Sequence, residues 1–509
     1  MEPGAWGGSA VSRREFRFRE KVVSYRLLIC VFLGMSCFPL RAGEDEGEPE
    51  LLRGPYLQGL NETSVEVIWL TSEPIEGRIR CVGPDERILE VTGPLSSNHR
   101  LRLDGLSPAS RYSYSIYSGE DILAEGDHLR FRTAPPAGEG TLRAVVVGDS
   151  GTGSVAQARV GGVMEGLEPD LFLHTGDLIY SRSLDSAVFL PYRNLLSGAC
   201  FIPSRGNHDF DLARMGLEWR DVFTVPNDDN ERSGGYYSYD WGPAHFTVLD
   251  YIFIHSDFSA QLEFIEQDLA AARQRGVRWL IIYQHLPIYT AGSYANYSHP
   301  VRQLLPELCD RYGVDLVLSG HDHNYQRSYP VREGAPRDAW QDPVFFRPRG
   351  TVYIVTGGGG GFLYPELEGA PNRPLMHTFQ SVNHCVVLDI TTTDFRVRAL
   401  DMQGNLMDEF QIKKDGPRPA LGFLRGDANL DGQLDIGDAI ATLAYLFLGE
   451  QLPCPAAANS TGEGNHLIIT KPIYTLQFLF MGGPPPPAPF PACGPVEGAD
   501  DSFCYESGG

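Results

Sequence analysis

The sequence predicts a multidomain chain of three folded parts. These are an antiparallel β-sandwich over residues 51–135, an α/β sandwich of two packed sheets over 141–415, and a small helical calcium-binding repeat over 420–509. Three observations carry this reading. Apolar and polar residues alternate in the first part, short apolar runs alternate with helical stretches in the second, and a helical segment recurs after 33 residues in the third. A length of 509 residues suits several domains better than one core. With 42% apolar and 21% charged residues the chain reads as globular, and its net charge of −23 excludes nucleic acid and anionic membrane surfaces as partners. Phosphate chemistry in such a chain needs local positive charge, which a bound metal supplies.

Residues 1–42 read as a signal peptide. The run Leu27–Leu40 follows Arg13, Arg14, Arg17, Arg19, Lys21 and Arg26 and precedes Leu40-Arg41-Ala42. At 14 residues it is shorter than the ~20 that span a bilayer. Export to the periplasm, cell surface or medium follows, with no membrane segment after cleavage. Residues 43–50 are an acidic linker. Of nine cysteines, Cys30 and Cys37 leave with the signal; the other seven lack CxxC spacing, and three of them (Cys454, Cys493, Cys504) crowd the last part, where an oxidising compartment permits a staple.

In the first part Val65, Val67 and Trp69 alternate with Glu66 and Ile68, and Tyr112, Tyr114 and Ile116 with Ser113 and Ser115. Turn residues separate the runs, and Ala134–Gly138 closes the part as a linker. In the second, Ala144–Val147, Leu171–Leu173, Leu280–Ile282 and Val314–Leu318 read as buried strands, and Gln261–Arg275 as an amphipathic helix presenting Leu262, Ile265 and Leu269. Each strand runs into a Gly, Asp or His cluster, and ligand sites of α/β folds form at the carboxyl ends of strands.

Five such clusters occur in order: Gly148-Asp149-Ser150-Gly151, Gly176-Asp177-Leu178-Ile179-Tyr180, Gly206-Asn207-His208-Asp209, His285, and Gly320-His321-Asp322-His323. One cluster alone is a common turn, but five sets of metal-binding side chains at strand ends point to a metal site. His321 and His323, at i and i+2 of an extended segment, face one side, and a helical turn is expected to bring Tyr180 to Asp177.

Order and spacing resemble the calcineurin-like metallophosphoesterases, and the Tyr of Gly-Asp-x-x-Tyr narrows the resemblance to purple acid phosphatases. Leu52–Leu57 and the turn Leu106–Tyr112 resemble the fibronectin type III-like domain that precedes the catalytic domain in that family. The resemblance implies a dinuclear acid phosphatase hydrolysing phosphate monoesters by attack of a metal-bound hydroxide. Asp149, Tyr180 and His323 would hold Fe3+. Asn207, His285 and His321 would hold a divalent Fe2+, Zn2+ or Mn2+, and Asp177 would bridge. Phenolate and carboxylates suit a hard trivalent ion, imidazoles and an amide a borderline divalent one. His208, Asp209 and His299 are the catalytic candidates. Where the family commonly has a histidine to protonate the leaving group, this chain has Tyr294, with His299 the nearest spare imidazole, so the proton donor stays open among Tyr294, His299 and solvent. The run Gly357–Gly361 reads either as an anion cradle or as a flexible turn. A phosphodiesterase or nucleotide pyrophosphatase on the same metals is the alternative, and a non-catalytic surface-binding protein the alternative of another class.

In the tail, Asp427, Asn429, Asp431, Gln433, Asp435 and Asp438 stand at positions one, three, five, seven, nine and twelve of a calcium loop, with Gly432 at six. Ile440–Gly449 recurs as Ile473–Gly482, and the faces Ile440, Leu443, Phe447 and Ile473, Leu476, Phe480 are expected to hide by stacking together. The pattern resembles a dockerin, which implies a cell-surface or cohesin-like partner. At the repeat offset the second loop holds Ser460, Gly462, Gly464, Ile468 and Lys471, so one calcium is expected, not two.

Overall fold

Strand alternation and turn chemistry place the molecule's two large sheets as follows. The computed structural model describes residues 49–495 except 181, 211–221, 225–234, 252–257, 340–341, 416–421, 430–432, 451, 453, 465 and 492–493. The expected signal peptide, most of the linker, Asp431, Gly432, Cys493 and Cys504 lie outside the described residues.

The expected strands form. Leu51–Gln58, Ser64–Val82, Ile88–Asp104 and Arg111–Ser118 pair antiparallel, and the long hairpin of the second and third strands carries the first part. Ser64–Val82 pairs Leu51–Gln58 along its first half and Arg111–Ser118 along its second, with register shifts between Leu70 and Ile75 where partners change. Val65, Val67, Trp69, Ile79 and Cys81 point inward, as period-two patterning requires.

The second part has two sheets face to face. Thr141–Val147, Leu171–His174 and Cys200–Pro203 run parallel in one; Ala244–Val248, Trp279–Tyr283, Leu316–Ser319 and Val352–Thr356 run parallel in the other. Alternate residues of each strand serve different layers. Ala144, Val146, Leu171 and Leu173 meet Phe246, Ile281, Leu316 and Leu318 between the sheets. Val145, Val147 and Phe172 face the helices Val155–Glu165 and Arg193–Gly198. Leu280, Ile282 and Val317 face the helices Phe258–Gln274 and Val301–Tyr312. The result is an α/β sandwich of two mixed sheets, each covered by helices on its outer side.

The first part does not keep a core to itself. Leu57 bridges to Cys200 in parallel, so the N-terminal strands extend the first sheet of the second part. Val65, Trp69 and Ile116 share one apolar cluster with Val146 and Phe246. Tyr114 Oη donates to the Ser197 carbonyl at 2.8 Å, and Tyr56 Oη to that of Val222 at 2.8 Å. The single Leu57–Cys200 bridge joins the facing edges of Leu51–Gln58 and Cys200–Pro203.

The tail helices form over Ile436–Leu448 and Thr470–Met481 and pack on each other, but by another face than expected. Buried are Asp438, Ala439 and Thr442 on one and Lys471, Pro472 and Thr475 on the other, residues equivalent at the 33-residue offset. Ile440, Phe447, Ile473 and Phe480 remain exposed. Asp438 and Lys471 are each tied to the loop before their helix, which turns that side inward and the apolar stripe outward. Cys454 is disulfide-bonded, whereas Cys81, Cys200, Cys309 and Cys385 are free and buried. Among the described residues no helix is long and apolar enough to cross a membrane.

Candidate metal centre

All five motifs meet at the carboxyl ends of the parallel strands. Asp149 and Asp177 leave the first sheet, Asn207 and His208 its third parallel strand, and His285, His321 and His323 the second sheet. Asp149, Asp177 and His321 each take a positive φ (56°, 58° and 67°), the left-handed region that side chains other than glycine seldom adopt. The three turns bring their side chains to the same end of the sheets at the cost of local strain. Glycine beside them is required by space: a Cβ on Gly206 would strike the Asp177 carboxylate, and one on Gly320 that of Asp149.

The side chains fall into two groups. Tyr180 Oη lies 3.5 Å from Asp149 Oδ1 and 3.2 Å from His323 Nε2, which is itself 3.3 Å from Asp149 Oδ1. His285 Nε2 lies 2.9 Å from Asn207 Oδ1, 3.0 Å from His321 Nδ1 and 3.4 Å from Asp177 Oδ2. Asp149, Asp177 and His285 are buried and offer ligand atoms all within 4.8 Å of one another.

Tautomers decide what these groups can hold. His285 Nδ1 is 2.9 Å from the Thr175 carbonyl and His323 Nδ1 2.6 Å from that of Phe362. A carbonyl only accepts, so each Nδ1 carries a proton, and a ring that is neutral turns its Nε2 lone pair into the site. Burial holds His285 neutral, its pKa lowered to about 3, and burial followed by His285 lowers His321 to about 2. His285 Nε2 therefore faces the Asn207 amide oxygen and the Asp177 carboxyl with no proton of its own. Lone pairs converging in this way are relieved by a cation, so the residues fit metal ions.

Charge elsewhere in the cluster agrees. Burial, then the Asp149 and Asp209 carboxylates, push Asp177 well above the usual carboxylate range. Burial and the same acidic neighbours raise the Tyr180 phenol. Burial opposes the charged form of His323, but the Asp149 carboxylate beside it outweighs burial and raises it.

Tyr180 reaches the site without the expected helical turn, since 175–180 is irregular backbone. His208 is exposed, its ring tilted against Tyr180 at 4.7 Å, and its N–H donates to Asp177 Oδ1 at 2.8 Å. Asp209, expected among the catalytic residues, is engaged by backbone. It is buried and accepts from the N–H groups of Asp177, Leu178 and Gly206 at 2.9, 2.8 and 2.7 Å, stitching two ligand loops together. His299 instead accepts the Val301 N–H at 3.2 Å at the start of a helix, with Phe258 and Tyr297 as ring neighbours. Of the two candidate proton donors, Tyr294 lies on a ligand ring, 3.9 Å from His321.

Gly357–Gly361 is neither cradle nor loose turn. The run is buried, and the N–H groups of Gly357, Gly359 and Gly361 already bond Asn324, Gly148 and Asp149 carbonyls at 3.2, 3.0 and 2.9 Å. Its glycines let backbone pack on the ligand loops. Sequence reasoning missed Tyr251, 5.4 Å from the His285 ring, and Tyr364, stacked on His323 at 4.3 Å. Neither belongs to a motif, and only the fold brings them in.

In the tail, Asp435 and Asp438 form a capping box at the helix start. Asp438 Oδ1 accepts the Ala428 N–H at 2.8 Å, and burial raises its carboxyl to about 6, with Asp427 adding to the rise. Asp427 is buried, whereas Asn429 and Gln433 are exposed. At the equivalent place in the second half Lys471 Nζ donates to Thr461 Oγ1 and the Glu463 carbonyl, both at 2.5 Å.

Comparison with known proteins agrees with this geometry. Residues 142–325 match the family model described as calcineurin-like phosphoesterase. The chain is 25% identical over 329 residues to purple acid phosphatase 23 of Arabidopsis thaliana, covering 58% of this chain and 69% of that protein. It is 29% identical over 287 residues to human acid phosphatase type 7, covering 52% and 64%. Other relatives carry the names probable inactive purple acid phosphatase 1, from Arabidopsis, and nucleotide pyrophosphatase/phosphodiesterase, from barley. The solved purple acid phosphatase from yellow lupin seeds shares the fold, with a TM-score of 0.59 at 20% identity over 72% of this chain and 74% of that one. Residues 142–325 thus form a calcineurin-like phosphoesterase domain with purple acid phosphatase relatives, and the chain is a metal-dependent phosphoester hydrolase.

Proposed function

We propose that the protein is an exported acid phosphatase hydrolysing phosphate monoesters at a dinuclear site. The observation that carries this is the neutral His285 ring aiming its lone pair at Asn207 Oδ1 and Asp177 Oδ2 beside a second group of phenol, carboxylate and imidazole. Asp149, Tyr180 and His323 would hold Fe3+, Asn207, His285 and His321 a divalent Fe2+, Zn2+ or Mn2+, and Asp177 both. When bound, the metals supply positive charge for phosphate and acidify water near neutral pH. His208, exposed at the rim, is placed to hold a phosphate oxygen, and Tyr294 to give a proton to the leaving oxygen. The Asp209 bonds keep Asp177 and Asn207 in register during turnover.

Metal analysis with a mono- and diester panel tests the reading. Two metals per chain, hydrolysis of monoesters, and visible absorption lost in Tyr180→Phe are expected. Diester preference would favour the activity for which the barley relative is named, and an iron-free active protein would remove Fe3+. For the tail, we infer one calcium at Asp427, Asn429, Asp431, Gln433, Asp435 and Asp438. The exposed stripe Ile440, Phe447, Ile473 and Phe480 would serve a cohesin-like or cell-surface partner.

A further inference from the structure

Two phenols stand over the ligand imidazoles, one on each metal group. Tyr294 covers His321 with ring centroids 3.9 Å apart, Tyr364 stacks on His323 at 4.3 Å and 9°, and the two phenols are 6.3 Å apart. Both are partly exposed, so each keeps surface toward solvent. Phe362, two residues before Tyr364, leaves its side chain 91% exposed while its carbonyl holds His323.

The positions are fixed from behind. Asp322 Oδ2 accepts from Thr290 Oγ1 at 2.5 Å and from the Tyr294 N–H at 3.4 Å, and Arg302 donates to the Tyr294 carbonyl at 3.0 Å. The Tyr364 N–H donates to the His323 carbonyl at 2.9 Å. Rigid aromatic rings with a free edge or face bind planar groups at low entropic cost.

We propose that Tyr294, Tyr364 and Phe362 form a stacking subsite for a planar leaving group, so that the preferred substrates are aryl or heteroaryl phosphate esters. This rests on the monoesterase reading above. The test compares phenyl with naphthyl phosphate, whose leaving groups are similar in acidity but differ in ring area. Calorimetric binding of phenylphosphonate and naphthylphosphonate, which are not hydrolysed, runs beside it. The wild-type holoenzyme should favour the naphthyl compound in both, through KM rather than kcat. Tyr364→Leu and Phe362→Ala should each cut the naphthyl-to-phenyl ratio, Tyr364→Leu by about 2- to 10-fold, the range of one aromatic pair, while Tyr364→Phe keeps it.

A ratio unchanged in both truncations overturns the subsite. Should Tyr364→Leu not fold, Phe362→Ala decides, since its side chain lies in solvent. Absence of monoester turnover with the phosphonate preference intact and lost in Phe362→Ala would sink the monoesterase reading and leave the subsite standing.

Discussion

The strand-end cluster and the tail loop are both candidate cation sites, and they are built in opposite ways. Around Asp149 and Asp177 the scaffold comes first. Ligands sit at the ends of buried strands, His285 and His323 are oriented by backbone carbonyls, and Asp209 ties the loops. Around Asp438 the scaffold is slight: Ala428, Leu452 and Ala458 form one small buried cluster, and the helices leave their apolar stripe in water. A site held by a large core can store strain and repulsion for chemistry, whereas a site in a small module must itself supply the fold.

The largest effect should come from removing the shared carboxylate. Asp177→Asn is expected to lower kcat/KM by at least about 10²-fold, the scale of one preorganised electrostatic contact. In the metal-free chain the same change should leave Tm equal or higher, because burial and the Asp149 and Asp209 carboxylates disfavour charge there. A fall in metal-free Tm would show that Asp177 is structural and break the contrast with the tail.

Asp209→Ala should act through stability. Three buried N–H groups would lose their acceptor, at about 1–3 kcal/mol each for a buried group left unsatisfied. Denaturant unfolding and metal affinity should both weaken. Unchanged stability with lost turnover would restore Asp209 as a catalytic residue.

These two residues also mark what the sequence could disclose. Ligand identity was legible because the chemistry demands Asp, Asn, His and Tyr at strand ends, and the buried runs were legible because both sheet faces are covered. The role of Asp209 was not, since a carboxylate beside a ligand motif looks the same whether it meets substrate or backbone. Tyr364 and Tyr251 carry no local signal; only the packing of the Gly357–Gly361 strip and the meeting of distant loops bring them to the imidazoles. The tail helices were legible by period, but the buried face was not, because Asp438 and Lys471 outrank the apolar stripe in deciding which side turns inward.

The two halves of the tail offer a finer comparison. Where the first loop is expected to need calcium, the second has an ammonium already bonded to Thr461 and Glu463. Chelation in the full chain should therefore raise hydrogen exchange in Ile436–Leu448 well before Thr470–Met481. Lys471→Ala should reverse the order by loosening the second helix about 1–3 kcal/mol, the cost of lost charged hydrogen bonds. Simultaneous opening of both helices in wild type would mean that one cation governs the whole tail.

The smallest effect concerns a histidine held between carboxylates outside both loops. His245 Nδ1 lies 2.6 Å from Asp240 Oδ1 and Nε2 2.9 Å from Asp268 Oδ2, while Arg275 approaches Asp240 at 3.2 Å. Burial opposes charge on His245, but the two carboxylates outweigh it and raise its pKa; burial likewise opposes charge on Asp240 and Asp268, and His245 outweighs it there, lowering both. A raised histidine gives stability that is complete below its unfolded value of about 6.5 and is lost as pH climbs through the folded value. Lowered aspartates give stability present above their unfolded value of about 3.9 and lost as pH falls through the folded one. The two windows overlap between about pH 4 and 6.5, so the Tm gap between wild type and His245→Gln should be widest there and narrow on the alkaline side. A gap constant from pH 5 to 9 would show that the ring is held by packing and neutral hydrogen bonds, and that this chain's own cations do not share the logic of its metal loops.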